Sequence, residues 1–180
     1  GEEAVDRYLN GTISDLYDGM LMKDMDKAID ILKEKILEDK KIRVIGDYDI
    51  DGVNATYILL EGLERLGADV DSDIPDRISD GYGLNRHLVE RAYEAGVDTL
   101  ITCDNGIAAA DEIAYGKEMG MTVIVTDHHE VPFDEQDGEK RYRIPPADAV
   151  MDPKQPDCLY PFKGLCGAAV AYKLMEALWE

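Results

Sequence analysis

Three aspartates stand at alternate positions in Gly46-Asp47-Tyr48-Asp49-Ile50-Asp51-Gly52, and further acidic or imidazole groups recur at Asp104 and at Asp127-His128-His129. Carboxylates packed this closely repel one another and offer little to a hydrophobic core. A divalent cation would neutralise them. The plainer alternative is a solvated acidic turn that caps the next helix, since aspartate is favoured at helix starts. Carboxylate oxygen combined with imidazole nitrogen, and no thiolate, suits Mn²⁺ or Mg²⁺, with Zn²⁺ or Co²⁺ as alternatives. The carboxylate count favours two ions sharing a bridging ligand. Such a pair, about 3.5–4 Å apart, can activate a water and stabilise in-line displacement at phosphorus. Adjacent histidines point different ways, so at most one of His128 and His129 is expected to be a direct ligand and the other to contact substrate or orient a ligand.

These groups act together only if the fold gathers them. Short apolar, β-branched runs precede each one: Ile42 to Ile45, Asp98 to Cys103 and Met121 to Thr126. Helical periodicity fills the gaps. Met22, Met25, Ile29, Leu32 and Ile36 are spaced for a helix from about residue 24. Val53, Tyr57, Leu60 and Leu63 define one face of a helix over about 53–66 that stops at Gly67. Further helices are expected over 85–95, from Ile107 to Gly120, and over 165–179 with Cys166, Val170, Leu174 and Leu178 on one stripe. A polar edge strand is expected over 69–74 and a last short strand over 147–151, with 131–146 a charged loop. Alternating strand and helix imply an α/β fold, a mainly parallel sheet with helices on both faces. In such sheets the carboxyl ends of the strands share one edge, where ligands bind. Asp47, Asp49, Asp51, Asp104, Asp127, His128 and His129 would converge there. Arg77 and the Gly81-Tyr82-Gly83 loop could hold a phosphate, with Asn105 as a further substrate contact. His87 and the basic cluster Lys140, Arg141, Arg143 read as solvated surface.

Composition narrows the class. In 180 residues, 39 acidic side chains outweigh 19 basic ones, for a net charge of −20. Alone, that argues against a broad nucleic-acid-binding face. Bound cations would invert the local field. No apolar run approaches membrane-spanning length, and no membrane partner is expected. Cys103, Cys158 and Cys166 have neither metal-site nor disulfide spacing. They read as buried small residues of a cytoplasmic protein.

At these residues the sequence resembles the DHH phosphoesterase superfamily and, within it, the RecJ-type single-strand-specific exonucleases. Gly46 to Gly52 (GDYDIDG), Cys103 to Gly106 (CDNG) and Thr126 to Glu130 (TDHHE) resemble that branch's ordered motifs. Leu21 to Ala28, Arg77 to Asn85 and Phe162 to Leu174 are similar as well. The resemblance implies a Rossmann-like DHH domain over 41–180 behind an N-terminal extension, 1–40, with one helix. It implies metal-dependent 5′→3′ hydrolysis of single-stranded DNA in recombination and repair, with two cations, Mn²⁺ or Mg²⁺, and DNA-repair proteins as partners. Asp49, Asp51, Asp104 and His128 would be metal ligands. Asp47 and His129 would be catalytic, Asp47 supporting the first cluster and His129 facing metal or scissile phosphate. Ile45 stands where the related pyrophosphatases carry histidine, which disfavours that branch. A phosphodiesterase for short oligonucleotides or cyclic dinucleotides, and a catalytically silent scaffold, are the alternatives. The branch has a further metal-binding aspartate, a DHHA1 domain and an OB-fold domain that have no counterpart before Glu180, and Asp152 does not match that aspartate. The expectation is an N-terminal fragment that is inactive or weak alone.

Overall fold

The computed structural model describes residues 1–76 and 83–179. From the N-terminus, helices α1 (Glu2–Asn10) and α2 (Met25–Leu37) lead into strand β1 (Ile42–Ile45), helix α3 (Ile50–Arg65) and strand β2 (Val70–Asp73). Helix α4 (Arg86–Glu94), strand β3 (Thr99–Cys103), helix α5 (Ala110–Glu118) and strand β4 (Thr122–Thr126) follow. A hairpin of β5 (Phe133–Gln136) and β6 (Glu139–Tyr142) precedes strand β7 (Ala149–Met151) and helix α6 (Gly167–Trp179).

The apolar runs become a parallel sheet of order β2-β1-β3-β4-β7. Alternation along each strand decides which layer covers it. Ile42, Val44, Ile101, Cys103, Ile124, Ala149 and Met151 face one side, in a core with residues of α2, α3 and α6. Ile45, Leu100, Val123, Val125 and Val150 face the other, with residues of α4 and α5. Strands buried on both faces must be apolar throughout, which explains the near-continuous β-branched runs. Leu32, Leu59, Leu63 and Leu174 are fully buried under the first face, each worth about 1.5–3 kcal/mol relative to exposure. Register matters for the site. Ile45 pairs with Thr102 and Cys103 with Thr126, so the segments after β1, β3 and β4 emerge side by side.

The structure departs from expectation in several places. An additional helix, α1, lies in the N-terminal stretch, with Tyr8 and Leu9 exposed. Helix α2 shares the main core through Met25, Ala28, Ile29 and Leu32. Helix α3 starts at Ile50 and packs through Gly52, Ala55, Thr56, Leu59 and Leu63. Val53 and Tyr57, expected on the buried face, are 46% and 61% exposed. The sheet selects the neighbouring stripe because its small residues allow close approach. Residues 131–146 are not simply a loop: β5 and β6 pair antiparallel across Asp137-Gly138. Both turn residues have positive φ, 56° and 81°, as a two-residue Asp-Gly hairpin turn requires. Cys103 and Cys158 are buried, whereas Cys166 is exposed just before α6. His87 is exposed, and so are Lys140, Arg141 and Arg143. No helix among the described residues is long and apolar enough to cross a membrane.

Candidate metal centre

Each motif leaves its strand and turns at once into the next element. After β1, Asp47 is tucked beneath the first turn of α3. A Cβ on Gly52 would lie 2.7 Å from the Asp47 Cβ, so only glycine permits this approach. Asp49 is the N-cap of α3, its Oδ1 accepting the Asp51 and Gly52 N–H groups at 2.9 Å each. Asp51 turns the other way, and its two oxygens accept the Gly167 and Ala168 N–H groups at the start of α6, at 2.7 and 2.8 Å. After β3, Asp104 adopts a left-handed backbone, φ +60°, a conformation aspartate tolerates better than most residues. Helix α5 then starts at Ala110, after a turn closed by the Ala109 N–H to the Gly106 carbonyl, and not at the expected Ile107. After β4, Asp127 folds the DHH segment around itself. Its Oδ1 accepts the His128 and His129 N–H groups at 2.7 and 3.3 Å, and its Oδ2 accepts the Ile107 N–H at 2.9 Å.

Five side chains meet at this edge. Asp47, Asp49 and Asp104 form one group, and Asp104, His128 and His129 another, each with ligand atoms within 4.8 Å of one another. His128 Nε2 lies 2.9 Å from Asp104 Oδ1 and 3.5 Å from Asp51 Oδ2. The two imidazoles stand side by side, ring centroids 4.5 Å apart. They do not diverge as strand neighbours would, because the Asp127 turn has ended the extended conformation. His129 Nδ1 is 2.7 Å from Asp127 Oδ1. The carboxylate can only accept, so Nδ1 carries the proton and Nε2 is the nitrogen able to ligate.

Electrostatics agree with a cation-seeking cluster. Asp104 is 1% exposed, and burial, followed by the charges of Asp51 and Asp49, pushes its pKa up to about 7. Burial likewise raises Asp47, and the backbone N–H groups of Tyr48, Gly83 and Asp49 offset only part of it. Neither Asp47 oxygen makes a well-formed hydrogen bond among the described residues. An orphaned buried carboxylate beside two others is costly. Divalent cations fit this donor set and would relieve it. The hydrogen bond to Asp127 raises the His129 pKa.

Of the residues expected at the site, Asp47, Asp49, Asp104, His128 and His129 converge, with Asp47 inside the cluster as well as Asp49. Asp51 adjoins it while bound to α6. Arg77, Gly81 and Tyr82 lie outside the described residues. Gly83 lines a cavity of about 170 Å³ with Leu84, Asn105, Gly106 and Glu112. Asn105 was expected to touch substrate, yet its side chain is committed to the protein. It donates to the Ile45 and Cys103 carbonyls at 3.1 and 2.9 Å and accepts the Leu84 N–H at 3.1 Å. Asp127, expected at this edge, orients His129. One residue at the edge was not assigned a site role from sequence. Asp152, ending β7 at the same edge, is fully buried with its pKa pushed up to about 7 by burial. Its signal was available: a short apolar strand, Ala149 to Met151, that also ends in a carboxylate.

Known proteins are similar to this chain in sequence and in fold. The sequence is 44% identical over 176 residues to the single-stranded-DNA-specific exonuclease RecJ of Bacillus subtilis, covering 98% of this chain and 21% of that protein. A crystal structure of exonuclease RecJ bound to manganese matches with a TM-score of 0.74 at 38% identity, over 87% of this chain and 37% of that one. RecJ from Thermus thermophilus in complex with Mn²⁺ matches with a TM-score of 0.65 at 36% identity, over 87% of this chain and 21% of that one. The chain thus spans well under half the length of these relatives. The model of the DHH family, N-terminal domain, matches residues 41–180, and the chain belongs to the DHH family.

Proposed function

We propose that this chain is the metal-binding catalytic part of an exonuclease that degrades single-stranded DNA from its 5′ end. The observation that carries the reading is the convergence of Asp47, Asp49, Asp104, His128 and His129 at one sheet edge, in a chain 44% identical to a single-strand-specific exonuclease. Asp49, Asp51, Asp104 and His128 would hold two divalent cations, Mn²⁺ or Mg²⁺, with Asp47 completing the first cluster. Bound there, the cations supply an activated water and neutralise the scissile phosphate. His129, fixed by Asp127, faces that phosphate with its Nε2. Arg77, Gly81, Tyr82 and Gly83 contact the strand, and Asn105 acts on substrate through the loop it holds at Leu84. The domain proper covers 41–180, and α2 of the 1–40 extension completes its core. The protein works in the cytoplasm, in DNA recombination and repair, beside other repair proteins. A net charge of −20 supports a division of labour in which regions outside this domain supply most of the affinity for DNA.

The test is release of mononucleotides from 5′-labelled single-stranded and duplex oligonucleotides in Mn²⁺, using a protein of the relatives' length. Single-strand cleavage is expected for wild type and lost in Asp104→Ala and His128→Ala. Undiminished cleavage in both variants refutes the assignment.

A further inference from the structure

The metal centre leans on a contact that lies in none of its acidic motifs. Helix α6 begins against the carboxylates. Its Gly167 N–H donates to Asp51 Oδ2 at 2.7 Å and its Ala168 N–H to Asp51 Oδ1 at 2.8 Å, so one helix end holds both oxygens. The same glycine touches the next carboxylate. A Cβ on Gly167 would sit 2.6 Å from Asp104 Oδ1 and 2.7 Å from the Asp104 Cβ. His128 Nε2 lies 2.9 Å from Asp104 Oδ1 and 3.5 Å from Asp51 Oδ2, closing the triangle. Helix α6 is anchored behind this contact, with Val170, Ala171 and Leu174 fully buried in the core shared with α3.

The first turn of a helix carries N–H groups without intrahelical partners and a partial positive charge. Here it offsets the Asp51 charge beside Asp104 and Asp49 and fixes the plane of the Asp51 carboxylate. A lysine or arginine in its place would bring a full charge and compete with a cation. The helix end does not, because its charge is fractional and its two N–H groups leave each Asp51 oxygen a further lone pair.

We propose that the first turn of α6, through Gly167 and Ala168, is a positioning element of the cation centre. It holds Asp51 against Asp104 and His128 and so sets the affinity for divalent cation. The inference rests on the reading of this cluster as a cation centre and adds a determinant outside the three motifs. By linkage, cation binding also strengthens the docking of α6.

The experiment is calorimetric titration of the 180-residue chain with Mn²⁺, wild type beside Ala168→Pro and Gly167→Ala, together with amide exchange in wild type. Ala168→Pro deletes the donor to Asp51 Oδ1 and sets its ring Cδ against that oxygen, and proline is tolerated in a first helical turn. Gly167→Ala sets a methyl group against Asp104, while alanine favours the helix more than glycine does. Each variant is expected to bind Mn²⁺ about 10–100-fold more weakly, the range for groups that orient metal-binding side chains. Melting in EDTA is expected to fall in Gly167→Ala, whose methyl group must push Asp104 aside, and to stay nearer wild type in Ala168→Pro. In wild type, Mn²⁺ is expected to slow exchange at Gly167 and Ala168. Folded variants with wild-type affinity overturn the proposal and leave the cation centre standing. Unchanged exchange at those two amides on Mn²⁺ saturation overturns it without recourse to any variant. No Mn²⁺ binding by wild type defeats the cation centre itself, and the proposal with it.

Discussion

Asp104→Asn should stabilise the cation-free chain while destroying its response to Mn²⁺. Asp104 is 1% exposed, and burial together with the charges of Asp51 and Asp49 moves its pKa from 3.8 up to about 7. A folded pKa above the unfolded one means that the native state retains a proton the unfolded state has released. The stability contributed by that proton is fully present below about pH 4 and lost as pH rises through about 7. A shift of roughly three units at about 1.36 kcal/mol each sets a ceiling of about 4 kcal/mol on the strain relieved at pH 8. Asparagine removes the charge, keeps the shape and tolerates the φ of +60°. Against that gain stand the lost pairing with His128 and the burial of an amide, together about 1–3 kcal/mol. The net expectation is about 1–2 kcal/mol, or about 2–8 °C in Tm for a chain of this size. Thermal melts in EDTA at pH 8 and pH 5 test this. The variant should melt higher at pH 8, and its advantage should vanish at pH 5, where Asp104 is protonated in wild type. Added Mn²⁺ should raise the wild-type Tm by mass action and leave the variant almost unmoved. A variant that melts below wild type at pH 8 in EDTA refutes the claim that this charge is the strained one.

Three further outcomes follow from the same geometry. Asp127→Asn removes the carboxylate that holds Nδ1–H of His129, so the His129 pKa should fall back toward the ordinary imidazole value of about 6.5; an unchanged titration in NMR contradicts the assigned hydrogen bond. Asn105→Ala breaks the three bonds that tie Leu84, Ile45 and Cys103 together and should cost about 2–4 kcal/mol in urea unfolding, whereas a loss under about 0.5 kcal/mol would mean the loop is held by other contacts. Gly138→Val forces a β-branched residue into φ +81° and should open the β5–β6 hairpin to proteolysis within 133–142 without changing Mn²⁺ affinity; equal cleavage of both proteins would show that the turn does not hold the hairpin.

The sheet was legible because its strands are buried on both faces. A strand of that kind must be β-branched and apolar along its length, and the Ile42–Ile45, Thr99–Cys103 and Thr122–Thr126 runs have no other reasonable fate. The edge strand Val70–Asp73 was legible from its polarity. On α3 the expected stripe was right at Leu63 but wrong at Val53 and Tyr57, which look outward while Gly52, Ala55 and Thr56 are buried, because periodicity weights size and close packing favours small residues. The hairpin was missed although Asp137-Gly138 announces it, since its strands, FDEQ and EKRY, are exposed on every residue and carry no apolar pattern. At the site, residue types revealed which groups gather but not how each oxygen is used. That depends on partners more than a hundred residues away, as with Asp51 and Gly167.

Asp49 and Asp51 show why helix cap and metal ligand were never competing explanations for the acidic turn. Without a cation, three aspartates within five residues would drive the turn open. Asp49 escapes by capping α3 with one oxygen, and Asp51 escapes by accepting two N–H groups from α6. Each helix end contributes a partial positive charge that tolerates the carboxylate without neutralising it. Asp47 and Asp104 sit beside them, and burial drives both of their pKa values upward, as it does that of Asp152. Capping therefore holds two carboxylates in place while burial strains the two beside them. A cation that relieved the strained pair would find the capped pair already positioned.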